Sequence, residues 1–285
     1  MDFPAARTVI VPDRGEFFLR DSGGTGTPLF MLHGWTGTAD LNFGSIYDDL
    51  IGAGYRVVAM DHRGHGRGPR PFGRFLLDDC AADAAAVMSV LNLPPAIVYG
   101  YSMGGAIAQL ICRDHPALVS GLVLSGTAQH WQEPELRNTW RLMPLVGLAM
   151  SLAPATAWRV ALRRAGFKPT PQTAWLYSEM MRHSARAITQ AGSELGRFDS
   201  RPWLQRFPFP TAMVLTSRDD AVPPAKQFEL AQACGATVFD APLRHLDVAA
   251  TADRRLVEVY SRALLEALDW VQSATESASV LGHGS

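Results

Sequence analysis

Cysteine is scarce in this chain: Cys80, Cys112 and Cys234 are the only three in 285 residues, and no two form a Cys-x-x-Cys pair. An odd number of widely spaced thiols excludes a disulfide framework or a thiolate zinc site as the basis of the fold, so we read them as reduced core residues. Long apolar runs are also missing, and none approaches the ~18 residues that a membrane-spanning helix needs. The start, Met1-Asp2-Phe3-Pro4-Ala5-Ala6-Arg7, lacks the basic segment and apolar stretch of a secretory signal. A cytoplasmic protein with no stable membrane insertion is expected. Charge of one sign is absent as well: 26 Lys plus Arg stand against 27 Asp plus Glu, a balance of −1. Such a chain has no overall field to steer it toward nucleic acid, and no nucleic-acid partner is expected.

What the chain does have is apolar side chain, at 47% hydrophobic and 19% charged residues, enough for a sizeable core and unlike a disordered composition. Residues 8–11 and 16–20 look like short strands of an edge hairpin around a Pro-Asp-Arg-Gly turn. Residues 28–32, 55–60, 96–99, 122–125 and 212–216 are short, nearly continuous apolar runs, the pattern of strands buried on both faces of a parallel sheet. Helical periodicity separates most of them. In residues 77–93, Leu77, Cys80, Ala84, Val87, Met88 and Leu91 share one face, leaving Asp79, Asp83 and Asn92 on others. This alternation predicts an α/β fold with a doubly wound, mostly parallel sheet.

After Ser125 the alternation stops. Residues 131–204 read as several helices broken at Pro144, Pro154, Pro169 and Pro171, an insertion that holds five of the seven tryptophans and also Met143, Met150, Met180 and Met181. These side chains either face a ligand or pack the insertion on itself and on the core. Across residues 131–205, ten Arg or Lys stand against five Asp or Glu, a local excess that reads as solvated helix face or as attraction for an anionic substrate or membrane surface. The strand pattern resumes at Ala212, continues through residues 237–239, and gives way to a terminal helix over residues 252–273. The domain reading is a core of residues 1–130 and 205–274, a helical cap of residues 131–204, and a disordered tail of residues 275–285.

The motif Gly-x-Ser-x-Gly occurs at Gly100, Ser102 and Gly104, where an apolar run meets a helix-forming stretch. The match alone is weak evidence, and its position is the stronger part. A sharp strand-to-helix turn lifts a serine hydroxyl above the sheet, and flanking glycines remove the Cβ atoms that would block so tight a bend. A helix starting there also points its positive end at the serine. Together with Leu32-His33-Gly34-Trp35 and Asp61-His62-Arg63-Gly64-His65-Gly66, this segment resembles the three landmarks of the α/β-hydrolase superfamily. The resemblance is to the serine-nucleophile branch, esterase-like or lipase-like, and to the haloperoxidase-like esterases.

A serine hydroxyl is a poor nucleophile at neutral pH, so it needs a neighbouring base, and that base needs an orienting carboxylate. The resemblance implies Ser102 as nucleophile, His245 as base and Asp219 as acid, because Asp219 precedes Val222-Pro223 by three residues as in the family's acid loop. Asp220 is the rival. The same resemblance implies the backbone N–H groups of Trp35 and Met103 as the oxyanion donors, and requires no cofactor and no metal. Arg244 departs from the family, which most often has glycine before the histidine. His33, His62 and His65 read as loop-bracing residues, since no third ligand follows at a zinc spacing.

The expected function is therefore hydrolysis of a carboxylic ester of a small or medium, largely apolar molecule through an acyl-enzyme. A thioesterase, a lactonase or a carbon–carbon bond hydrolase would use the same residues. A ligand-binding receptor or scaffold with little turnover is the reading from another class. The expected partner is a small-molecule acyl substrate, and a homodimer is left open.

Overall fold

The computed structural model describes residues 3–250 and 253–282. Eight strands form one sheet: β1 (Ala5–Val11), β2 (Gly15–Asp21), β3 (Thr27–Leu32), β4 (Tyr55–Met60), β5 (Ala96–Tyr101), β6 (Val119–Ser125), β7 (Thr211–Thr216) and β8 (Thr237–Ala241). Their order is β1-β2-β4-β3-β5-β6-β7-β8. The first hairpin and its pairing with β4 are antiparallel, and every pair from β4 to β8 is parallel. Helices α1 (Ala39–Phe43) and α2 (Tyr47–Gly52) follow β3, α3 (Leu77–Val90) follows β4, and α4 (Met103–Asp114) follows β5. Four helices lie between β6 and β7: α5 (Pro134–Leu152), α6 (Pro154–Arg164), α7 (Pro171–Met180) and α8 (Ala185–Leu195). Then come α9 (Pro224–Cys234), α10 (His245–Ala249) and α11 (Arg254–Gly282). The expected doubly wound, mostly parallel sheet is what forms.

The apolar strands serve two cores because successive side chains point to opposite faces. Phe30, Leu32, Val58, Met60, Val98, Leu122, Leu124 and Met213 pack beneath residues of α3, α4 and α9. Their neighbours Leu29, Met31, Val57, Ala59, Ile97, Val123, Ala212 and Val214 pack against α1, α2 and the Tyr260, Leu264, Leu268 and Val271 stripe of α11. Burial on both faces leaves the strand ends as the place where polar side chains reach solvent or a cavity. All three cysteines are free and buried. Among the described residues no helix is long and apolar enough to cross a membrane.

Three local expectations change. Pro144 does not end a helix: α5 runs through it. Met143, Gly147 and Met150 of α5 are buried on the side that meets α8, and that packing outweighs the ~3 kcal/mol that an internal proline costs. Pro154 and Pro171 instead begin helices, where the missing N–H would have no partner anyway. The second change is at the C-terminus, where the backbone is helical through Gly282 in a segment expected to be disordered. The Thr275 hydroxyl donates to the carbonyls of Val271 and Ser120, at 2.8 and 3.2 Å, which ties the helix extension to the start of β6. Residues 283–285 of the expected tail, and 252 of the expected helix, lie outside the described residues.

The third change is Asp83, which is fully buried on α3. It receives a bidentate ion pair from Arg63, at 2.6 and 2.7 Å, and a third contact from Arg14 at 2.9 Å. Arg63 also reaches Asp79 at 2.6 Å. This cluster clamps the loop after β4 onto α3, which explains the arginine of the Asp-His-Arg-Gly-His-Gly segment. Asp83→Ala should lower stability by about 3 kcal/mol, since it leaves Arg63 half-paired in a buried place. Urea unfolding measures this, and an unchanged midpoint would contradict the clamp.

Candidate active site

Ser102 sits in the turn between β5 and α4 with φ 55° and ψ −118°, a conformation that non-glycine residues rarely adopt. Its amide N–H donates to the Ser125 carbonyl of β6 at 2.9 Å. The flanking glycines make the turn possible. A Cβ on Gly104 would fall inside van der Waals contact of the Leu32 carbonyl, and one on Gly100 would collide with the Gly104 backbone. The chain at Gly34 approaches less closely from the other side, where an added Cβ would stand 3.1 Å from Ser102 Cβ.

The hydroxyl of Ser102 lies 3.0 Å from Nε2 of His245, and His245 Nδ1 lies 2.8 Å from Oδ2 of Asp219. With Nδ1–H donating to the carboxylate, Nε2 is left as the acceptor for the serine proton. Asp219 is saturated: Oδ2 also accepts from the Thr216 hydroxyl at 2.7 Å, and Oδ1 accepts the amides of Ala221 and Val222 at 2.9 and 2.8 Å. Burial alone would raise its pKa, but the His245 hydrogen bond and charge, with the Val222 amide and Thr216 hydroxyl, outweigh burial and hold it below the ordinary carboxylate value. Asp220 is exposed at the rim of the cavity. Arg244 turns away from the pocket and pairs with Asp247 at 2.9 Å, while Asp247 accepts the Arg244 amide and caps α10.

The Trp35 and Met103 amides donate no hydrogen bond among the described residues, as expected at a helix start for Met103. The loop that carries Trp35 is fixed from three directions. Gly34 N–H donates to Asn42 Oδ1 at 2.8 Å, the Trp35 indole N–H donates to the Ile188 carbonyl of α8 at 2.8 Å, and Thr36, at φ 60°, has its carbonyl bound by His183 Nε2 at 3.0 Å.

Of the three expected loop-bracing histidines, His33 joins two loops and His65 Nδ1–H donates to the Arg63 carbonyl inside its own loop at 3.1 Å. Both ring nitrogens of the buried His62, and Nε2 of His65, have no hydrogen-bond partner among the described residues. His33 Nδ1–H donates to the Gly34 carbonyl and its Nε2 accepts the His62 amide, joining the loops after β3 and β4. His183, from the loop before α8, completes a buried cluster, its ring 5.5 Å from that of His65. Burial drives His62 down to about 3 and His183 down to about 4. Among the described residues no three His, Cys, Asp or Glu are grouped to hold a metal.

Above Ser102 and His245 lies a cavity of about 550 Å³ lined by Trp35, Trp131, Trp140, Trp158, Leu162, Leu176 and Met180. The aromatic and methionine load is therefore divided between lining this cavity and packing the insertion. Met143 and Met150 are packed inside the insertion, Trp175 lies against Phe3, and Trp203 lies under Arg113. Some supporting residues carried no readable signal. Tyr101 lies against the His245 ring, with centroids 5.0 Å apart, and its hydroxyl donates to the His245 carbonyl at 2.7 Å. Gln227 of α9 donates to the Thr216 hydroxyl at 2.8 Å and to the Val222 carbonyl at 2.8 Å, bracing the acid loop. Asn42 and His183 likewise belong to no motif.

A parallel sheet whose strand ends carry the polar cluster, with a serine on the turn after the fifth strand, defines an α/β architecture built around a strand-end site. A sequence profile described as "alpha/beta hydrolase fold" matches residues 27–247, and the chain belongs to that family. It is 37% identical over 119 residues to a non-heme chloroperoxidase of Streptomyces lividans, covering 41% of this chain and 43% of that protein. It is 28% identical over 174 residues to 3-oxoadipate enol-lactonase 2 of Acinetobacter baylyi, covering 58% and 62%. The chain thus spans less than two thirds of these two relatives. An esterase from Exiguobacterium antarcticum superposes with a TM-score of 0.77 at 22% identity, over 92% of this chain and 98% of that one, which speaks for the fold.

The buried histidines have a consequence for stability. Nδ1 of His183 accepts the Gly66 amide at 2.9 Å, so a second ring proton would meet an N–H. Below about pH 6.5 the unfolded chain takes that proton while the folded one, held down to about 4, does not. Stability should fall as pH drops from about 6.5 to 4, with His183 contributing on the order of 3 kcal/mol. Urea titrations at stepped pH test this, and His183→Gln should flatten the slope.

Proposed function

We propose that the protein is a serine hydrolase that cleaves a carboxylic ester of a small or medium, largely apolar substrate. The observation that carries this reading is the continuous hydrogen-bond chain from Asp219 through His245 to Ser102 at the floor of an apolar cavity. In this mechanism Ser102 Oγ attacks the ester carbonyl carbon as its proton passes to His245 Nε2. The carbonyl oxygen takes the electron pair and faces the N–H groups of Trp35 and Met103, which stabilise the developing charge more than the neutral ester. The intermediate collapses to an acyl-Ser102, and His245 returns the proton to the departing alcohol. Water then attacks the acyl group by the same proton route, and Ser102 is released. Asp219 keeps His245 in the required tautomer and offsets the imidazolium charge.

Helices α5 to α8 act as the cap, since Trp140, Trp158, Leu162, Leu176 and Met180 roof the space over Ser102. The kinship with a named enol-lactonase makes a cyclic ester a natural member of the substrate class, because opening one needs the same attack and the same oxyanion donors.

Ser102→Ala should lower turnover of nitrophenyl esters by at least about 10⁴-fold and abolish labelling by a fluorophosphonate, with an unchanged circular dichroism spectrum. Labelling that survives in the variant would remove Ser102 as nucleophile. Gln227→Leu should lower kcat while leaving KM near wild type, because it loosens the acid loop without touching the cavity. A change confined to KM would contradict that role. A series of acyl chain lengths in nitrophenyl esters, thioesters and lactones, compared by kcat/KM, fixes the substrate class.

A further inference from the structure

The outer face of α5 has no protein partner among the described residues. Its buried stripe of Met143, Gly147 and Met150 faces α8 and the interior. On the opposite side Leu142, Leu145, Leu148 and Leu152 are 51%, 64%, 58% and 77% exposed. At 100° per residue these four leucines fall on one continuous strip along the helix. Isolated exposed leucines are ordinary on protein surfaces, whereas a row of four along one helix marks an interaction site.

Charge accompanies this row. Between residues 134 and 168, Arg137, Arg141, Arg159, Arg163, Arg164 and Lys168 stand against Glu135 as the sole acid. None of the six cations takes part in an ion pair among the described residues. Outside this segment Arg20, Arg63, Arg67 and Arg113 are paired, while Arg186, Arg206, Arg218 and Arg262 take part in no ion pair among the described residues. It is the crowding of six cations around one acid that sets this segment apart. Helices α5 and α6 bury Met150 and Trp158 in one cluster, so the two helices pack as a pair, and Arg137, Arg141, Arg159, Arg163 and Arg164 are exposed on them.

We propose that the α5–α6 pair docks the protein on an anionic membrane surface, with the four leucines entering the acyl boundary and the unpaired cations meeting lipid phosphates. The charge selects this occupant. A second copy laid on the same face would bring two sets of unpaired cations together, with Glu135 the only acid on either pair to offset them. An anionic bilayer supplies the missing counter-charge and an apolar layer at once. The inner faces of the same helices, through Trp140, Trp158 and Leu162, line the cavity over Ser102, so docking sets that cavity beside the bilayer. The proposal stands whether or not Ser102 is a nucleophile.

The test is flotation of the full chain with vesicles of phosphatidylcholine alone or with one third phosphatidylglycerol, at low and high salt. Binding to the anionic vesicles at low salt is expected, weakened by salt and by omission of phosphatidylglycerol. Leu145→Asp with Leu148→Asp should lower the partition coefficient at least about tenfold, at an unchanged melting midpoint. Arg141→Gln should lower it about fivefold. Absence of binding to anionic vesicles at low salt would overturn the proposal, as would full binding by the double leucine variant. A dimer in sedimentation velocity that this variant dissociates, without vesicle affinity in the wild type, would assign the face to a second copy instead.

Discussion

The turn at Ser102 is the constraint on which the rest of the site depends. Its backbone occupies a region that costs of order 1–3 kcal/mol for a side chain with a Cβ, and nothing in the local sequence repays that cost. The offset comes from three places at once: the Ser125 carbonyl that takes the Ser102 amide, the close seating of α4 on β3 at Gly104, and the packing of β5 between β3 and β6. Because β5 is central in the sheet, a shift of this turn would disturb both cores. The strain is thereby held in place by the most buried part of the molecule.

Around that turn the loops at the strand ends are cross-braced by buried polar groups rather than by apolar packing. His33 ties the β3 loop to the β4 loop, Arg63 ties the β4 loop to α3, Asn42 ties the β3 loop to the Ala249 carbonyl, and Gln227 ties the β7 loop to α9. The side chains of these four braces find partners within the protein, while the ring nitrogens of His62 and Nε2 of His65, buried beside them, have none among the described residues. The braces hold the Trp35 loop, the His245 ring and the Asp219 carboxylate in one arrangement. The histidine cluster also extends to His183, so the helical insertion is joined to this bracing and not merely laid over it.

The insertion is two-faced in consequence. Its inner side chains divide between lining the cavity and filling the space under α5. Its outer side carries leucines and unpaired cations, a combination that a helix facing only water has no reason to hold. Pro144 persists inside α5 because tertiary packing fixes the helix on both sides of it.

Much of the fold was legible in the chain because burial on both faces of a parallel sheet writes itself as short apolar runs, and each of the expected strands forms. Gly100, Ser102 and Gly104 were legible because a tight strand-to-helix turn restricts residue type locally. Other features depend on partners far apart in sequence. Asp83 reads as a surface residue in the sequence, whereas Arg63 pairs with it in the core, and the terminal helix runs past its expected end, with Thr275 of the extension within reach of the Ser120 carbonyl. Asp219 is favoured over Asp220 by its register to Val222-Pro223, and in the structure it is Asp219 whose Oδ2 lies 2.8 Å from His245 Nδ1. What the sequence determined by itself is the set of elements and the chemical groups they carry. Which groups touch is decided by tertiary packing, because contacts such as Tyr101 to His245 join residues more than a hundred positions apart that no local periodicity relates.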